Sequence, residues 1–481
     1  MASAGKRQAI LGLLTVFSTS VLLWFGNGLQ PIWPLVWFAP LPVLLFALET
    51  SWPSAMGAAF LAWLLGCLNL WHYLHVLHVP GWVWLAAFGS EAVAFSLCVL
   101  LFRALLRRKA VWSALLSFPA GMVSLEFIRN LTSVHGTGGS LAYSQLKFLP
   151  FLQFASIAGP WGMSFLLFLF PATLAVCLYL RKAAPGQALR ILSGGLGLIV
   201  LVLLFGFARL ASPASGSRVM VGLIASDEPG NVDVPDAGAD ADRLFHDYAL
   251  QAEKLAAQGA RAIVIPEKLA VVTDSTLEGT NAIFQAISDK TGAVVVVGVV
   301  RVSPPKKYNR ALIYSPGTQS RSYDKHHMLP PFESALEPGR GLMLLEEPAD
   351  KWGVAICKDM DFTPLSRQYG DANVGLMLVP GWDFVLDGSW HGHMAIMRGV
   401  EDGFSIVRAA KQGYLTVSDD RGRILAETRS DSAPFATLLA EVPSGHDKAI
   451  YLTLGDWAGW FATILLIFAL LQLWRYRDPT T

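Results

Sequence analysis

Charge is scarce in this chain. Only 15% of its 481 residues are Asp, Glu, Lys or Arg, against about 25% in an ordinary soluble domain. Hydrophobic residues make up 53%, and mean hydropathy is +0.45. That balance argues against a soluble protein and for one that lives in a membrane. Charge of one sign is also missing: 37 basic against 36 acidic residues, with no basic block and no basic stretch interleaved with aromatics. Nothing therefore argues for a nucleic-acid partner. Cysteine is the third shortage, at four residues. Cys67, Cys98 and Cys177 lie in apolar segments, so no disulfide framework is suggested and they do not report a redox compartment. No internal repeat is present.

Long apolar runs are abundant. Lys6 and Arg7 precede one from Ala9 to Phe25 that has the outline of a signal peptide, but more such runs follow and no clear small-residue cleavage site intervenes. It is read as the first of eight retained spans. The others are Ile32–Leu48, Pro53–Val76, Val83–Phe102, Val111–Ile128, Phe151–Leu180, Leu192–Leu210 and Ile450–Leu473. Each is about long enough to cross ~30 Å of hydrocarbon, and the sixth is expected to break near Gly159-Pro160. With the first span running outward, Arg103, Arg107, Arg108, Lys109, Arg181, Lys182, Arg190, Arg475 and Arg477 all fall inside. The segment between the seventh and eighth spans then lies outside the cytoplasm, which in a bacterium is the periplasm. Three parts are expected: residues 1–212 as a bundle of about seven transmembrane helices, 216–448 as a periplasmic domain, and 450–474 as a C-terminal transmembrane helix.

The middle part differs in character. Strand-like runs occur at Val219–Ala225, Ala262–Ile265, Ala293–Val300, Ala311–Tyr314, Trp352–Ile356, Gly375–Val379, Ser405–Ala409 and Leu415–Ser418. Helical patterns at Ala241–Gln258, Asn281–Lys290 and Trp390–Gly399 fall among them, and Asp227–Asp240 reads as a loop. Strands alternating with helices predict an α/β layered domain.

Three strand ends carry reactive side chains. The run KWGVAICKDMD (351–361) delivers Cys357 to the end of a buried strand, where a turn can expose a nucleophile and offer backbone N–H groups to an oxyanion. RAIVIPE (261–267) ends in Glu267, and RSYDKHHMLPPFE (321–333) contains Lys325. Taken singly, the cysteine reads equally as a small core residue, and the two charges as solvated side chains. Together, IPE, YDKHHMLPPFE and GVAICKD resemble the nitrilase, or carbon-nitrogen hydrolase, superfamily. That resemblance implies a four-layer αββα sandwich.

A thiol near its free pKa needs a base or a positive environment to react. Glu267 supplies a base and Lys325 a charge beside a tetrahedral oxyanion, a set suited to acyl transfer through a thioester. Glu333 either orients Lys325, as a second glutamate does in the related superfamily, or is a plain surface charge. Arg398 and Glu401, three apart on one helix, suggest a local ion pair. His326, His327, His391 and His393 come without HExxH or paired Cys/His spacing, so no metal site is assigned. Apolar loops flank the three residues: Met328, Leu329 and Phe332; Leu342–Leu345; and Trp382, Phe384, Val385 and Leu386. They read as core, or as side chains meeting a lipid boundary.

A nitrilase-like domain between a seven-span bundle and one final span resembles the apolipoprotein N-acyltransferase family. LEFIRN with Glu126 and Arg129, LAYSQ (141–145) and GPWGMSF (159–165) are similar to that family's pattern, as are the positions of Trp382, Arg398, Glu401, Arg408 and Gly413. Glu126 and Arg129 would otherwise be expected to pair with each other. The resemblance implies that Cys357 takes an acyl chain from a phospholipid and passes it to the α-amine of a diacylglyceryl-cysteine. Glu267 would act as base and Lys325 as stabiliser, with Glu333, Asp359, Trp382, Arg398 and Glu401 in support. No cofactor is implied, and the chain would act as a monomer among membrane lipids. Three departures stand out. Lys358-Asp359 replaces an aromatic and a glutamate after the cysteine; Asp359 is a shorter acid, and Lys358 is expected to lower the thiol pKa. The loop NLTSVHGTGGS lacks an aromatic-proline-tryptophan element, and PGWDF replaces an asparagine-aspartate opening. A membrane-tethered amidase, an acyltransferase to another amine and a non-catalytic scaffold are the rival readings.

Overall fold

The computed structural model describes residues 2–348 and 350–475, so Arg477 of the last basic cluster lies outside the described residues. The backbone divides into two compact units. One holds the residues through Thr132, Gly139–Arg209 and those from Leu454 on; the other holds Ser133–Gly138 and Leu210–Thr453.

In the first unit, seven helices among the described residues are long and apolar enough to cross a membrane. They are Gly5–Gly26, Trp52–Val76, Gly81–Arg107, Val111–Thr132, Ala155–Leu180, Pro185–Ala211 and Trp457–Arg475. A helix suits an apolar solvent because it satisfies its own backbone hydrogen bonds. The expected span Ile32–Leu48 is instead two short helices, Trp33–Val36 and Leu41–Glu49. Pro40 and Pro42 cause the break, since each lacks an N–H and crowds the preceding turn, while Pro34 sits in the first turn of its own helix, where a proline is tolerated. The sixth span kinks at Gly159, with φ of +60° and ψ of −164° just before Pro160. That backbone conformation is one glycine reaches without strain. Ile450–Leu473 is likewise divided, into Ile450–Leu454 and Trp457–Arg475. Glu126 and Arg129 do not pair with each other. Arg129 pairs with Glu91, while Glu126 accepts from Ser164 Oγ (2.7 Å), Ser140 Oγ (3.0 Å) and the Leu141 N–H (3.2 Å). Donors from other segments outcompete the same-helix partner because scarce polar groups gather inside an apolar bundle.

The second unit contains thirteen strands among the described residues. β1 (Arg218–Ala225), β2 (Ala262–Ile265), β3 (Val271–Val272), β4 (Val294–Ser303), β5 (Lys306–Tyr314), β6 (Arg321–Asp324) and β13 (Ala436–Pro443) form one sheet, ordered β13-β1-β2-β4-β5-β6 with β3 beside β4. The other is ordered β12-β11-β10-β9-β8-β7, with β7 (Met343–Glu346), β8 (Lys351–Val354), β9 (Leu376–Trp382), β10 (Ser405–Lys411), β11 (Tyr414–Ser418) and β12 (Ile424–Arg429). The central strands β1, β2 and β4, and β8, β9 and β10, run parallel. Parallel strands covered on both faces read as continuous apolar runs, as AIVI and VVVV do here.

Val221, Leu223, Val264, Val296, Val354, Leu376, Leu378 and Val407 fill the space between the sheets. Helices Ala239–Ala257 and Leu277–Thr291 cover the first sheet through Phe245, Tyr248 and Phe284. Thr363–Asp371 and Gly388–Asp402 cover the second through Leu365, Tyr369 and Ala395. The domain is thus the αββα sandwich expected, each buried Val or Leu contributing roughly 1.5–3 kcal/mol. One expected loop is a strand: Leu342–Leu345 overlaps β7, which pairs antiparallel with β8 and so uses its apolar side chains as sheet rather than as a lipid-facing loop.

Candidate active site

The sandwich brings Glu267, Lys325 and Cys357 to neighbouring strand ends. Glu267 lies two residues past β2, Lys325 follows β6 directly, and Cys357 lies three residues past β8. Glycine at 298 is what lets β4 pass the Glu267 turn: a Cβ there would lie 2.5 Å from both Glu267 Cα and the Pro266 carbonyl oxygen. Cys357 has φ of +44°, and Lys268 (+49°), Val385 (+63°) and Gln412 (+52°) share the left-handed region. Such conformations cost about 1–3 kcal/mol each, and the surrounding packing must hold them.

A charged cluster is built around Lys325, which is buried together with Glu267 and Glu333. Its ammonium donates to Glu267 Oε1 and to Glu333 Oε2, each at 2.8 Å. Asn309 Nδ2 bridges the same two acids, at 2.5 Å to Glu267 Oε1 and 2.7 Å to Glu333 Oε1. Lys268 Nζ and the Leu329 N–H complete the contacts of Glu333, at 2.8 and 2.9 Å. Burial opposes the charge on Lys325, but the two carboxylates outweigh it and raise its pKa. Burial also opposes ionisation of Glu333, yet Lys325 and Lys268 hold its carboxyl down at about 2. Lys325 is therefore a permanent cation, and Glu333 its permanent partner rather than a surface charge.

Cys357 is 8% exposed. Its thiol donates to the Trp382 carbonyl oxygen at 3.7 Å and accepts from Arg408 Nη2 at 3.7 Å. Burial pushes the thiol pKa up, and the charge of Glu267 adds to this; Lys325 and Arg408 pull it down without prevailing. The expectation that Lys358 would leave a low-pKa thiol is corrected: desolvation dominates, and the sulfur is a thiol at neutral pH that a base must ionise. Glu267 lies close enough for its charge to act on that thiol.

The supporting residues divide into two groups. Asp359, fully buried, joins the cysteine turn to the lysine turn: Oδ2 accepts from Tyr323 OH (2.8 Å) and the Ile356 N–H (3.2 Å). Its Oδ1 accepts from the N–H groups of His326 (3.1 Å) and His327 (2.9 Å). Trp382 donates from Nε1 to Gln412 Oε1 at 2.8 Å, with Lys411 Nζ 3.7 Å and Lys268 Nζ 4.9 Å from its ring centre. Arg398 and Glu401 form the local pair expected, at 2.8 Å and wholly buried. They are linked through Thr137 to the turn that follows Cys357: Arg398 Nη1 donates to Thr137 Oγ1 (3.5 Å), which donates to the Asp361 carbonyl oxygen (2.8 Å). Two of the histidines meet acids, His327 beside Asp359 and His391 between Asp361 and Asp387, while His326 Nε2 contacts the Gly341 carbonyl oxygen at 2.9 Å.

Three residues at the site were not assigned roles from sequence. Asn309 stands in the polar half of β5, between Tyr308 and Arg310 and ahead of the apolar run Ala311–Tyr314, so it carried little signal. Asp383 holds Arg408 bidentately at 2.6 and 2.8 Å, and its signal is an acid just past the strand β9. Lys268 follows the base directly and carried no signal of its own.

Residues 13–173 match the family model for the apolipoprotein N-acyltransferase N-terminal domain, and residues 238–444 match that for carbon-nitrogen hydrolase. An apolipoprotein N-acyltransferase of Geobacter metallireducens is 26% identical over 93% of this chain and 92% of its own. The chain belongs to the apolipoprotein N-acyltransferase family. Another family member, from Haemophilus influenzae, is 24% identical over 93% of this chain and 90% of its own. A crystal structure of an amidase from Nesterenkonia sp. overlaps 50% of this chain and 94% of that one, at 19% identity and a TM-score of 0.42. Membership in this family and seven span-length helices make the chain a multi-pass bacterial membrane protein.

Proposed function

We propose that this protein transfers a fatty acyl chain from a phospholipid, through a thioester on Cys357, to the free α-amine of a lipoprotein's diacylglyceryl-cysteine. Glu267 takes the thiol proton, the sulfur attacks the ester carbonyl, and the Lys325 ammonium stabilises the oxyanion. Glu267 then protonates the departing lysophospholipid oxygen, leaving the thioester. In the second half the amine attacks the thioester carbonyl, Lys325 stabilises again, and the sulfur leaves as thiol. Glu333, Asn309 and Lys268 hold the Lys325 ammonium in place, and Asp359 and Trp382 fix the turns on either side of the sulfur.

The observation that carries this reading is the pairing of a buried thiol with a Glu267–Lys325–Glu333 cluster in a chain of this family. Phe332 and Val385, 54% and 55% exposed, add apolar surface on the loops next to the site, suited to a donor with acyl chains. The basic clusters support an inner-membrane protein with residues 216–448 in the periplasm, provided the broken segment at 33–49 crosses as one. The test is acyl transfer from a phospholipid to a diacylated lipopeptide by the purified protein. Cys357→Ala, Glu267→Gln and Lys325→Met should each abolish it. Release of free fatty acid with no lipopeptide product would instead identify a hydrolase.

A further inference from the structure

Two of the departures from the family pattern meet in space. Lys358, the residue after the nucleophile, is 3% exposed, and among the described residues no carboxylate lies within ion-pairing distance of it. Its Nζ lies 3.4 Å from His135 Nδ1, the hydrogen-bonding atom of a residue in the loop that lacks the aromatic-proline-tryptophan element. The ammonium also lies 5.4 Å from the centre of the Phe362 ring. A buried lysine without a counter-ion is costly to retain, and it readily sheds its proton. His135 is exposed, so the pair runs from the nucleophile's neighbour to solvent. The loop is held firmly there. Thr137 donates to the Asp361 carbonyl oxygen from N (3.0 Å) and Oγ1 (2.8 Å), and a Cβ at Gly136 would lie 2.4 Å from that same oxygen.

The proposed reaction has one proton to discard, and only in its second half. In acylation, the thiol proton ends on the departing alcohol, and none is left over. In aminolysis, the acceptor arrives as an ammonium with three protons, since an α-amine has a pKa of about 7.7–8.0. The C–S bond breaks and a C–N bond forms; one proton stays on the amide nitrogen and one reaches the sulfur through Glu267. The third must leave the site.

We propose that Lys358 and His135 carry that third proton from the acceptor ammonium to solvent. Lys358 takes it, passes it to His135 Nδ1, and the imidazolium releases it outside. The surroundings of the pair weaken proton binding at both groups. Burial lowers the Lys358 pKa, Lys325 adds to the effect, and Asp361, Cys357 and Glu333 oppose it without reversing it. Neighbouring protein atoms shield one side of the exposed His135 and lower its pKa, with Lys358 and His391 acting alongside and Asp361 against. Both groups therefore bind a proton less tightly than their free counterparts do.

This inference rests on the acyl-transfer reading, and separating the two half-reactions tests each. Acylation of Cys357 is followed by intact mass after mixing with phospholipid, and aminolysis by loss of that mass on adding a diacylated lipopeptide. In His135→Ala and Lys358→Met, aminolysis at pH 7 should fall by about tenfold or more, while acylation falls by less than about twofold. Normal acylation also reports that each variant is folded. Imidazole in the medium should restore aminolysis to His135→Ala, and the deficit of both variants should shrink above about pH 8.5, where the amine arrives uncharged. Equal loss of both half-reactions, undiminished aminolysis, or no response to imidazole overturns the proton route while leaving acyl transfer intact. No acyl adduct on the unmodified protein overturns acyl transfer itself, and this route with it.

Discussion

Replacing Glu333 by Gln removes one charge from a buried group of two acids and two ammonium ions. Glu333 accepts four hydrogen bonds, from Lys268 Nζ and Asn309 Nδ2 on one oxygen and from Lys325 Nζ and the Leu329 N–H on the other. A glutamine offers one acceptor oxygen, so two donors come to face an NH2. At about 1–3 kcal/mol for each unsatisfied donor, the cost is on the order of 2–6 kcal/mol. The carboxyl pKa gives a second view of the same energy. Its fall from 4.5 to about 2 corresponds to roughly 3 kcal/mol. The folded pKa is depressed, so this contribution is whole above pH 4.5 and is lost as pH falls toward 2. Glu333→Gln should therefore lower stability at pH 7 and flatten the acid limb of its pH dependence. The kinetic effect follows from the Lys325 ammonium, which keeps Glu267 as its only carboxylate and binds it more tightly, making it a weaker base. Single-turnover acylation of Cys357, read by intact mass, should slow by about 30–100-fold, or roughly 2–3 kcal/mol. Acylation within twofold of the unmodified protein, with an unchanged acid limb, would refute this account of the cluster.

Asp359→Asn removes one of the two acceptor oxygens that join the Cys357 and Lys325 turns, and acylation should fall about 10–100-fold in the same assay with the fold retained by circular dichroism. Gly298→Ala puts a Cβ 2.5 Å from Glu267 Cα; it should slow both half-reactions together, because it displaces the shared base. The Lys411 ammonium is pushed down to about 7 by burial, with Lys268 adding to the effect. Between about pH 7 and 10 the unfolded chain then holds a proton that the folded one has shed, so stability climbs with pH by up to roughly 1.4 kcal/mol for each pH unit. Lys411→Met should remove that climb, as read by thermal midpoints in detergent at pH 7 and 9.5.

Much of the fold was legible because burial writes a simple pattern. AIVI and VVVV, covered on both faces, could be read as strands from their unbroken apolar runs, and Ala262–Ile265 was placed to the residue. The edge strands β12 and β13 were not anticipated, because a half-exposed strand mixes polar and apolar residues without a clear period, and β7 was read as an apolar loop. The span at 32–48 was apolar throughout, and Pro40 and Pro42 counted for less in the reading than they do in the helix. At the site, each reactive side chain stood at a strand end with its neighbours in sequence. Asn309, Asp383 and the partners of Glu126 come from elsewhere in the chain, so their roles exist only once the segments pack. Lys358 was visible as an oddity beside the cysteine, but desolvation, which decides the thiol's pKa, is a property of the folded interior.

The central claim is that Cys357 carries the acyl group between donor and acceptor. Its most direct test is the intact mass of the purified protein after incubation with phospholipid, before and after addition of a diacylated lipopeptide. A fatty-acyl mass increment located on Cys357, absent from Cys357→Ala and discharged as the lipopeptide becomes acylated, is the predicted result. Lipopeptide acylation that proceeds without an increment, or at full rate in Cys357→Ala, would contradict it.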